Sequence, residues 1–452
     1  MSKKVFFGTD GIRGYVNNFP ITSDFFLQLG YALSFFLKNK KRKKVLIGND
    51  TRESAHMIES ALTSGLLSMG VDCEILGSVP TPVVSYMTKL LSADAGIMIS
   101  ASHNPYYDNG IKIFLQQGEK LTDKQEVFIE KLILSKKKYH FCDSRTIGKS
   151  LIHNSNFNEY RNNIKKVIPT NVNFKNFKVV IDCANGSAYK IAPQIFLDLD
   201  INLTTLSITP NGKNINEKCG ALSPEKLIKK VISTNSHIGF AFDGDADRLI
   251  VCDEIGNIID GDQILALVAN SLHKQNKLLN DCIVATKMSN LGLRNYLKNI
   301  GVELFLCDVG DRYVIDMMQK KKANLGGEQS GHIIFSEFSS TGDAILSSLQ
   351  ILTILKLEKK SLSELLKSFV KIPQKLINLK LNSEPEKILM SQKLSNLINF
   401  ERKNLSNKGS ILIRKSGTEK LLRIMVQSED YKIMNKIINK LVACVKSIDK
   451  VS

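Results

Sequence analysis

Three aspartates stand at alternate positions in the segment FDGDADR, between two apolar runs that are typical of strands. In so short a loop the carboxylates of Asp243, Asp245 and Asp247 repel one another unless a divalent cation neutralises them. Gly244 and Ala246 are small enough to let the loop turn all three carboxylates toward one point. Magnesium is held by few protein carboxylates together with a phosphate. We therefore predict one Mg²⁺ per chain at this loop.

Two other interpretations of the aspartate loop are weaker. In a calcium-binding EF-hand loop that begins at Asp243, Glu254 would occupy the twelfth position, as that motif requires. However, Arg248 would occupy the sixth position, where glycine is needed. Strand-like rather than helical segments also flank the loop. An acidic surface turn would not need apolar runs at both ends. Magnesium remains the better interpretation.

The segment SASHNP contains two candidate nucleophiles, Ser100 and Ser102, with His103 directly after the second. A serine hydrolase would need a Gly-x-Ser-x-Gly elbow, which is absent. Adjacent residues of an extended chain point to opposite sides, so we expect His103 to be poorly placed to deprotonate Ser102. A serine that carries a phosphoryl group beside Mg²⁺ fits better. Ser102 lies in the turn and Ser100 at the strand end, although this segment alone also allows Ser102 to be a simple turn cap.

Two further segments suit the handling of phosphates and sugars. RKSGTE, from Arg414 to Glu419, combines cations, hydroxyls and a glycine after an apolar run, as in a nest for a phosphate dianion. It lacks the spacing of a Walker A loop. GGEQSGH places Glu328 and Ser330 at alternate positions, which suits the vicinal hydroxyls of a sugar. Each segment alone could be an ordinary turn, but with the aspartate loop they favour phosphoryl chemistry on a polyol.

The elements that must position these loops alternate between apolar strand-like runs and amphipathic helices. For example, Ile58, Leu62 and Leu66 share one helical face before Gly70, and Asp262 is a predicted helix cap. This alternation predicts α/β layers with largely parallel sheets, whose ligands bind at the carboxyl ends of strands. Polar, weakly periodic segments around 144–158 and 371–386 are predicted domain junctions.

Composition and charge exclude several classes of protein. The chain has 452 residues, 43% of them hydrophobic and 23% charged, which is typical of a globular protein of about three domains. Its apolar segment at residues 25–37 is too short to span a bilayer. Eight scattered cysteines suggest a reduced, cytoplasmic protein. The net charge of +18 reflects dispersed lysines without interleaved aromatic residues, so a solvated surface is favoured over nucleic-acid binding.

The ordered set FGTDGIRG, SASHNP, FDGDADR, GGEQSGH and RKSGTE resembles the α-D-phosphohexomutase superfamily over essentially the whole chain. The resemblance implies three consecutive α/β domains of related topology plus a smaller α+β C-terminal domain, arranged around a central cleft. That is one domain more than length predicts. The expected limits are 1–150, 151–254, 255–370 and 371–452.

The resemblance also implies roles for the residues of the reacting centre. It makes Ser102 the phosphorylated residue, which holds Mg²⁺ together with the three aspartates. Two basic residues, Arg13 and Lys112, are expected beside the phosphoserine, where developing charge needs neutralising. His103 belongs to the same loop, and His332 is a candidate for proton transfer.

The substrate site is implied in the same way. Glu328 and Ser330 match the ligands of the sugar hydroxyls. The site for the non-reacting phosphate of the substrate matches five residues: Arg414, Ser416, Gly417, Thr418 and Arg423.

The segments FGTDGIRG, VGDRYV and RKSGTE are similar to those of the amino-sugar branch of this superfamily. The implied activity is the interconversion of glucosamine 6-phosphate and glucosamine 1-phosphate through a 1,6-bisphosphate, which supplies UDP-N-acetylglucosamine and cell-wall precursors. A mutase of glucose or mannose phosphates is the nearer alternative, and a nucleic-acid-binding protein is the farther one. A sugar phosphate is the expected partner, with no nucleic acid or membrane, and a homodimer is allowed.

Overall fold

The structure is a computed structural model that describes residues 4–37, 43–135, 139–154, 156–415 and 421–450. Within these ranges the chain forms four sheets in sequence order, of six, five, four and three strands. Helices connect most of the parallel strands, whereas turns without a helix join antiparallel neighbours such as β4 and β5 (Ala95–Ile99 and Asp108–Leu115). The predicted α/β fold with four domains is confirmed. No helix in these ranges combines the length and apolar character needed to cross a membrane.

The first domain is a mixed sheet with helices on both faces. Its strands are β1 (Ile12–Tyr15), β2 (Lys43–Asn49), β3 (Val71–Ser78), β4 (Ala95–Ile99), β5 (Asp108–Leu115) and β6 (Ser150–Ile152). Its helices are α1 (Ser23–Phe36), α2 (Ala55–Ser68), α3 (Thr81–Leu90) and α4 (Asp123–Leu134). The strand order is β1-β5-β4-β2-β3-β6, and β5 runs antiparallel to both neighbours.

The second domain repeats this plan with five strands. Its strands are β7 (Lys178–Asp182), β8 (Asn202–Leu206), β9 (Ile238–Phe242), β10 (Leu249–Asp253) and β11 (Ile258–Ile259). Its helices are α5 (Asn158–Lys165), α6 (Ile191–Leu197) and α7 (Glu225–Ser233), with short 3₁₀ turns at Ser187–Tyr189 and Gly220–Leu222. The strand order is β11-β10-β9-β7-β8.

The third domain is a four-stranded version of the same sheet. Its strands are β12 (Cys282–Thr286), β13 (Glu303–Cys307), β14 (Leu325–Gly327) and β15 (Ile333–Phe335). Its helices are α8 (Gly261–Lys274), α9 (Leu291–Asn299), α10 (Asp311–Lys321), α11 (Ala344–Glu358) and α12 (Leu362–Leu365), with a 3₁₀ turn at Leu279–Asp281. The strand order is β13-β12-β14-β15.

The C-terminal domain is an antiparallel sheet. Its strands are β16 (Gln374–Lys380), β17 (Gly409–Lys415) and β18 (Leu421–Ser428), in the order β16-β18-β17. Its helices are α13 (Pro385–Leu389), α14 (Gln392–Leu405) and α15 (Tyr431–Asp449), with a 3₁₀ turn at Ser406–Lys408. Apolar side chains of α14, α15 and the sheet form a separate core.

The first three sheets share one arrangement that explains where the predicted loops lie. In each, three parallel strands are followed by an antiparallel fourth: β3-β2-β4-β5, β8-β7-β9-β10 and β13-β12-β14-β15. The turn between the third and fourth strands carries the SASHNP segment in the first domain, the aspartate loop in the second and GEQSGH in the third. Three chemically different loops are therefore presented by the same position of a repeated fold.

A common core holds these three domains together. Buried residues of all three sheets belong to one apolar cluster, among them Leu46, Met98, Phe240 and Ile283. Burying such side chains stabilises a fold by about 1.5–3 kcal/mol each. The loops between third and fourth strands are thereby held at fixed distances from one another, which a reaction between groups of different domains requires.

Several local predictions can be compared with these elements. The predicted face of α2 is confirmed, because Ile58, Leu62 and Leu66 are fully buried and Gly70 has a left-handed φ of 74°. The predicted cap of α8 is wrong. The cap is Asp260, which forms a capping box with Gln263, and Asp262 is buried one residue into the helix.

The predicted domain limits remain a proposal, and strand pairing suggests moving two of them by a few residues. β6 crosses the limit between residues 150 and 151 while pairing with β3 of the first domain. β11 lies after residue 254 but pairs with β10 of the second domain. The second predicted junction, 371–386, contains the strand β16, which pairs with β18 along its whole length.

Candidate active site

Ser102 lies in the turn after β4 with its side chain fully buried. Its backbone is left-handed, with φ of 53°, an uncommon conformation for a residue other than glycine. This conformation directs Oγ across to the second domain, where it donates a 2.6 Å hydrogen bond to Oδ2 of Asp243. The serine and the aspartate loop, which are far apart in the sequence, therefore form one site.

Ser100, the other candidate nucleophile, is hydrogen-bonded within the first domain. Its Oγ donates a 2.6 Å hydrogen bond to Oδ2 of Asp50 and accepts one of 2.8 Å from the backbone N–H of Ser102. Both capacities of the hydroxyl are thus used inside the first domain. Ser100 supports the turn that presents Ser102.

His103 lies closer to Ser102 than an extended chain would allow. Because the backbone turns at Ser102, Nδ1 of His103 lies 3.3 Å from Ser102 Oγ, so the two side chains do not point to opposite sides. However, Arg248 Nη1 donates a 2.9 Å hydrogen bond to the same nitrogen, which occupies its lone pair. Burial, followed by the charges of Arg248 and Arg13, lowers the pKa of His103 to about 3. A neutral ring with an occupied Nδ1 is a poor base for Ser102.

The three predicted metal ligands converge as expected. Asp243, Asp245 and Asp247 are buried, and one carboxylate oxygen of each lies within 4.8 Å of the others. Burial, followed by the charges of the other two aspartates, raises the pKa of Asp243 to about 8. The Oδ1 atoms of Asp245 and Asp247 are buried and receive no hydrogen bond from any described residue. Buried carboxylate oxygens without donors are costly, and a divalent cation would satisfy both, so these residues fit such an ion.

Lys112 provides the opposing charge in this cluster. Its side chain is 1% exposed, and Nζ donates 2.6 Å hydrogen bonds to Oδ2 of Asp245 and of Asp247. Asp10 Oδ2 lies 3.3 Å from the same nitrogen. Burial alone would lower the pKa of Lys112, but the three carboxylates raise it well above its ordinary value. The ammonium therefore stays charged where phosphoryl transfer would take place.

Arg13 and Lys120 extend this charged network within the first domain. Arg13 forms an ion pair with Asp10, and its Nη1 donates to the carbonyl of Ala101 over 3.4 Å. Lys120 pairs with Asp10 and also with Asp311 of the third domain. Through Asp10, these pairs connect the segment before Ser102 to Asp311 at the start of α10 in the third domain.

His332 closes the network from the third domain. Its Nδ1 lies 3.7 Å from Asp247 Oδ2, and its Nε2 lies 3.7 Å from Asp311 Oδ2. Burial lowers the pKa of His332, but Asp247 and Asp311 raise it above its ordinary value. The backbone N–H of Gly342 donates to Nε2 over 3.0 Å, which places the proton of a neutral ring on Nδ1. Both ring nitrogens thus face protein groups.

The predicted sugar ligands lie together at the end of β14. Oε1 of Glu328 accepts a 3.0 Å hydrogen bond from the backbone N–H of Gly310, and Oε2 lies 3.4 Å from Ser330 Oγ. Gly310 precedes α10 with φ of 132°, a conformation that only glycine adopts readily. Glu328 is thereby held with one oxygen still able to accept from a ligand hydroxyl.

Arg414 and Arg423 form a directly opposed pair on β17 and β18 of the C-terminal domain. The Nε atom of each is buried and has no acceptor among the described residues. Burial, followed by the charge of Arg423, lowers the pKa of Arg414. Two adjacent guanidinium groups with unused donors suit a doubly charged anion. The predicted residues Ser416, Gly417 and Thr418 of the same hairpin lie outside the described residues.

Sequence reasoning missed several charged residues of this centre. Asp10 and Asp311 stand inside the segments FGTDGIRG and VGDRYV, so their position in a motif was the available signal. Lys120 follows β5 without any motif, and only its ion pairs reveal it. Arg52 and Asn216, which hold the serine turn, were also missed.

Comparison with known proteins shows the family of this chain. Four models of phosphoglucomutase/phosphomannomutase domains match the chain in order: α/β/α domains I, II and III at residues 4–140, 158–256 and 260–372, and the C-terminal domain at 376–443. The chain belongs to the phosphoglucomutase/phosphomannomutase family.

Two curated relatives from this family match nearly the whole chain. A phosphoglucosamine mutase of Thermodesulfovibrio yellowstonii is 47% identical over 446 residues, covering 97% of this chain and 98% of the relative. A phosphoglucosamine mutase of a Chelativorans species is 42% identical, covering 98% of each.

Solved structures share the fold of this family member. A phosphoglucomutase/phosphomannomutase family protein of Burkholderia thailandensis has a TM-score of 0.79 at 24% identity, covering 99% of this chain and 98% of that one. The N-acetylphosphoglucosamine mutase of Aspergillus fumigatus, in complex with GlcNAc-6P and magnesium, has a TM-score of 0.68 at 17% identity, covering 99% and 96%.

Proposed function

We propose that this chain is a phosphoglucosamine mutase, an isomerase that interconverts glucosamine 6-phosphate and glucosamine 1-phosphate and so supplies UDP-N-acetylglucosamine and cell-wall precursor synthesis. The relatives matched over nearly their full length carry this name. The observation that supports it most is the hydrogen bond from Ser102 Oγ to Asp243, beside the two unpartnered carboxylate oxygens.

The proposed reaction uses phosphorylated Ser102 as donor and acceptor. In the forward direction the P–Oγ bond breaks and a bond forms from phosphorus to the O1 hydroxyl oxygen of glucosamine 6-phosphate, which loses its proton. The serine oxygen gains a proton, and a 1,6-bisphosphate results. The bisphosphate turns around, the bond from phosphorus to O6 breaks, and a bond from phosphorus to Ser102 Oγ forms. The serine hydroxyl loses its proton and O6 gains one. Glucosamine 1-phosphate leaves, and the phosphoserine is restored.

Charge at the transferring group is balanced by this chain's own cations. The ammonium of Lys112 contacts Asp245 and Asp247, and the guanidinium of Arg13 donates to the carbonyl of Ala101, which precedes Ser102. Preorganised cations stabilise developing charge on phosphoryl oxygens better than mobile water does. Asp243, Asp245 and Asp247 would hold one Mg²⁺ together with the phosphoserine, and the ion would neutralise part of the phosphoryl charge.

Substrate binding is proposed at two segments, one in the third domain and one in the C-terminal domain. The carboxylate of Glu328 accepts hydrogen bonds from sugar hydroxyls, and the hydroxyl of Ser330 donates to them. The second phosphate binds Arg414 and Arg423, together with the hairpin residues Ser416, Gly417 and Thr418. Closure of the C-terminal domain over the sugar would keep water from the phosphoserine.

Proton transfer by His332 stays a prediction. Its Nε2 accepts from Gly342, so a proton could leave the sugar hydroxyl toward this ring only after a rearrangement. His103 is not proposed as the base, because Arg248 donates a hydrogen bond to its Nδ1. The predicted cytoplasmic location and the homodimer likewise stay predictions.

Substrate choice is tested by comparing turnover of glucosamine 6-phosphate with that of glucose 6-phosphate and mannose 6-phosphate. Intact-mass analysis of the same preparation reports the phosphoserine as a single phosphate increment. A higher kcat/KM for glucosamine 6-phosphate supports the proposal. A clear preference for either neutral sugar would assign the chain to the glucose or mannose branch of its family instead.

A further inference from the structure

We propose that Arg52 and Asn216 are positioning residues for phosphoryl transfer, which together hold the left-handed backbone at Ser102 from two different domains. This inference rests on the proposed function of Ser102 as phosphoryl carrier. It adds two residues that touch neither the reacting atoms nor the substrate, and that act through the carbonyl groups of the serine turn.

Arg52 holds the turn from within the first domain. It follows β2, its side chain is completely buried, and Nη2 donates to the carbonyl oxygens of Ser102 at 3.1 Å and Asn104 at 2.5 Å. Its other terminal nitrogen forms a buried ion pair with Asp50, the residue that also accepts from Ser100 Oγ. A planar guanidinium presents donors in fixed directions, so this group sets the distance between the two carbonyls.

Asn216 holds the same two carbonyls from the second domain. Its Nδ2 donates to the carbonyl oxygen of Ser102 at 2.9 Å and to that of Asn104 at 3.1 Å. The backbone N–H of Asn216 donates to Ala184 at 2.9 Å, which anchors the residue to the turn after β7. Asn216 itself has a left-handed φ of 58°, which asparagine tolerates better than most residues.

The aspartate loop approaches the carbonyl of Ser102 at the same point. A side chain at Gly244 would place its Cβ 2.5 Å from this oxygen and 2.9 Å from Asn216 Nδ2, so only glycine fits. The loop of Arg52 also contacts the second domain directly, where Thr51 Oγ1 donates to the carbonyl of Asn185 at 2.5 Å. The interface between the two domains is therefore built around the serine turn.

This arrangement explains how a left-handed serine is maintained where Oγ must meet Asp243. A left-handed non-glycine residue is strained and persists only where its surroundings impose it. Four hydrogen bonds to two carbonyls supply that constraint. Without Asn216 the turn keeps its contacts with Arg52 but loses the two hydrogen bonds that hold its carbonyl groups to the second domain. A displacement of about 1 Å between reacting groups can cost about 100-fold in rate.

The test compares two variants of Asn216 with a control in the same loop. Asn216→Gly removes the side chain while glycine tolerates the left-handed backbone, and Asn216→Asp keeps the shape but has no N–H donor. The control Asn214→Ala removes hydrogen bonds to Asn211 and Thr209 within the loop and touches no residue of the serine turn. Arg52→Lys is a second variant, which keeps a charge opposite Asp50.

Each protein is measured in two ways: kcat and KM with glucosamine 6-phosphate, and amide hydrogen exchange of the peptide that contains Ser102. We expect the two Asn216 variants and Arg52→Lys to lose at least about tenfold in kcat, with KM changed by less than about threefold, because they misplace the reacting group rather than the substrate. Exchange of the peptide should accelerate. The control should resemble the wild type in both measurements.

Unchanged kcat and exchange in the Asn216 variants, or an equal loss in Asn214→Ala, would overturn the inference. Failure of the proposed function is distinguishable, since it would show as a wild-type protein that turns over no hexosamine phosphate. Hydrogen exchange needs no substrate and would still report whether Asn216 holds the turn.

Discussion

The Oγ of Ser102 and the Oδ2 of Asp243 are joined by a 2.6 Å hydrogen bond between the first and second domains. Both residues are buried, and both lie in the turn between the third and fourth strands of their sheets. A repeated fold thus places two equivalent turns face to face and uses one for a hydroxyl and the other for carboxylates. A phosphoryl group on Ser102 would lie directly against the aspartate cluster.

This geometry predicts different results for the two serines of the turn. Ser102→Ala removes the oxygen that carries the phosphoryl group, so turnover should fall by orders of magnitude and the phosphate mass increment should vanish. Ser100→Ala removes two hydrogen bonds, each contributing about 1 kcal/mol, and should retain the phosphate and substantial activity. Peptide mapping locates the phosphate. Finding it on Ser100, or finding none in active protein, would refute the proposed chemistry.

The aspartate cluster predicts a metal effect on stability as well as on activity. Chelation should abolish turnover and Mg²⁺ should restore it. Because binding to the folded state stabilises it, by about 2.7 kcal/mol at 100 times the Kd, Mg²⁺ should also raise the Tm. Asp245→Asn should lose most of this shift while remaining folded. Glu254→Gln, which lies just after β10 and is hydrogen-bonded to Ser363, should keep it. Full activity in chelator would remove the cluster from the mechanism.

The site loops could be predicted from the sequence because their chemistry is local. Each follows a short apolar run, and small residues such as Gly244 between charged ones indicate a close approach. The convergence of Asp243, Asp245 and Asp247 needed only their alternate spacing. The α/β fold followed from the alternation of strand and helix patterns.

Contacts between distant segments could not be predicted in this way. The left-handed turn at Ser102 depends on Asn216, which lies in a polar loop whose pattern resembles any surface turn. Lys120 has no motif and becomes informative only through Asp10 and Asp311. The edge strand β16 was hidden because its side chains alternate between half-buried and exposed, so its apolar signal is weak.

A buried carboxyl near the connection to the C-terminal domain predicts a pH effect on stability. Burial raises the pKa of Asp262 from 3.8 to about 7, although the backbone N–H of Asn290 acts to lower it. The nearby charges of Asp260 and Lys371 act in opposite directions on it. Since the folded pKa exceeds the unfolded value, the folded state binds more protons between about pH 4 and pH 7. The free energy of unfolding should therefore fall as pH rises through this range.

Denaturant unfolding at pH 5 and pH 8 checks this effect with Asp262→Asn, whose side chain can still accept from Asn290. The variant does not ionise, so it should gain stability relative to the wild type at the higher pH, by an amount on the order of 1 kcal/mol or more. Asp308→Asn, at an exposed position, should follow the wild type at both values. Equal pH dependence in wild type and Asp262→Asn would show that Asp262 titrates normally.

The opposed arginines of the C-terminal domain predict an effect on substrate affinity rather than on the chemical step. Arg414 and Arg423 lie opposite each other on β17 and β18, and each has a buried Nε that meets no acceptor in the part of the chain that the structure describes. A phosphate bound there interacts equally with the ground state and the transition state. Its loss should therefore raise KM more than it lowers kcat. We expect Arg423→Lys, which loses the fork of donors, to raise KM for glucosamine 6-phosphate by about tenfold.

Lys415→Gln provides the matched control for this prediction. Lys415 follows Arg414 on the same strand, but its ammonium is paired with Glu386 at 2.6 Å, so it is already neutralised. If the effect arises from a specific phosphate site, KM should change in Arg423→Lys and stay near the wild-type value in Lys415→Gln. A similar rise in both would indicate a general effect of positive charge, which raised salt would abolish by screening. A fall in kcat without a rise in KM would instead place Arg423 at the reacting phosphoryl group.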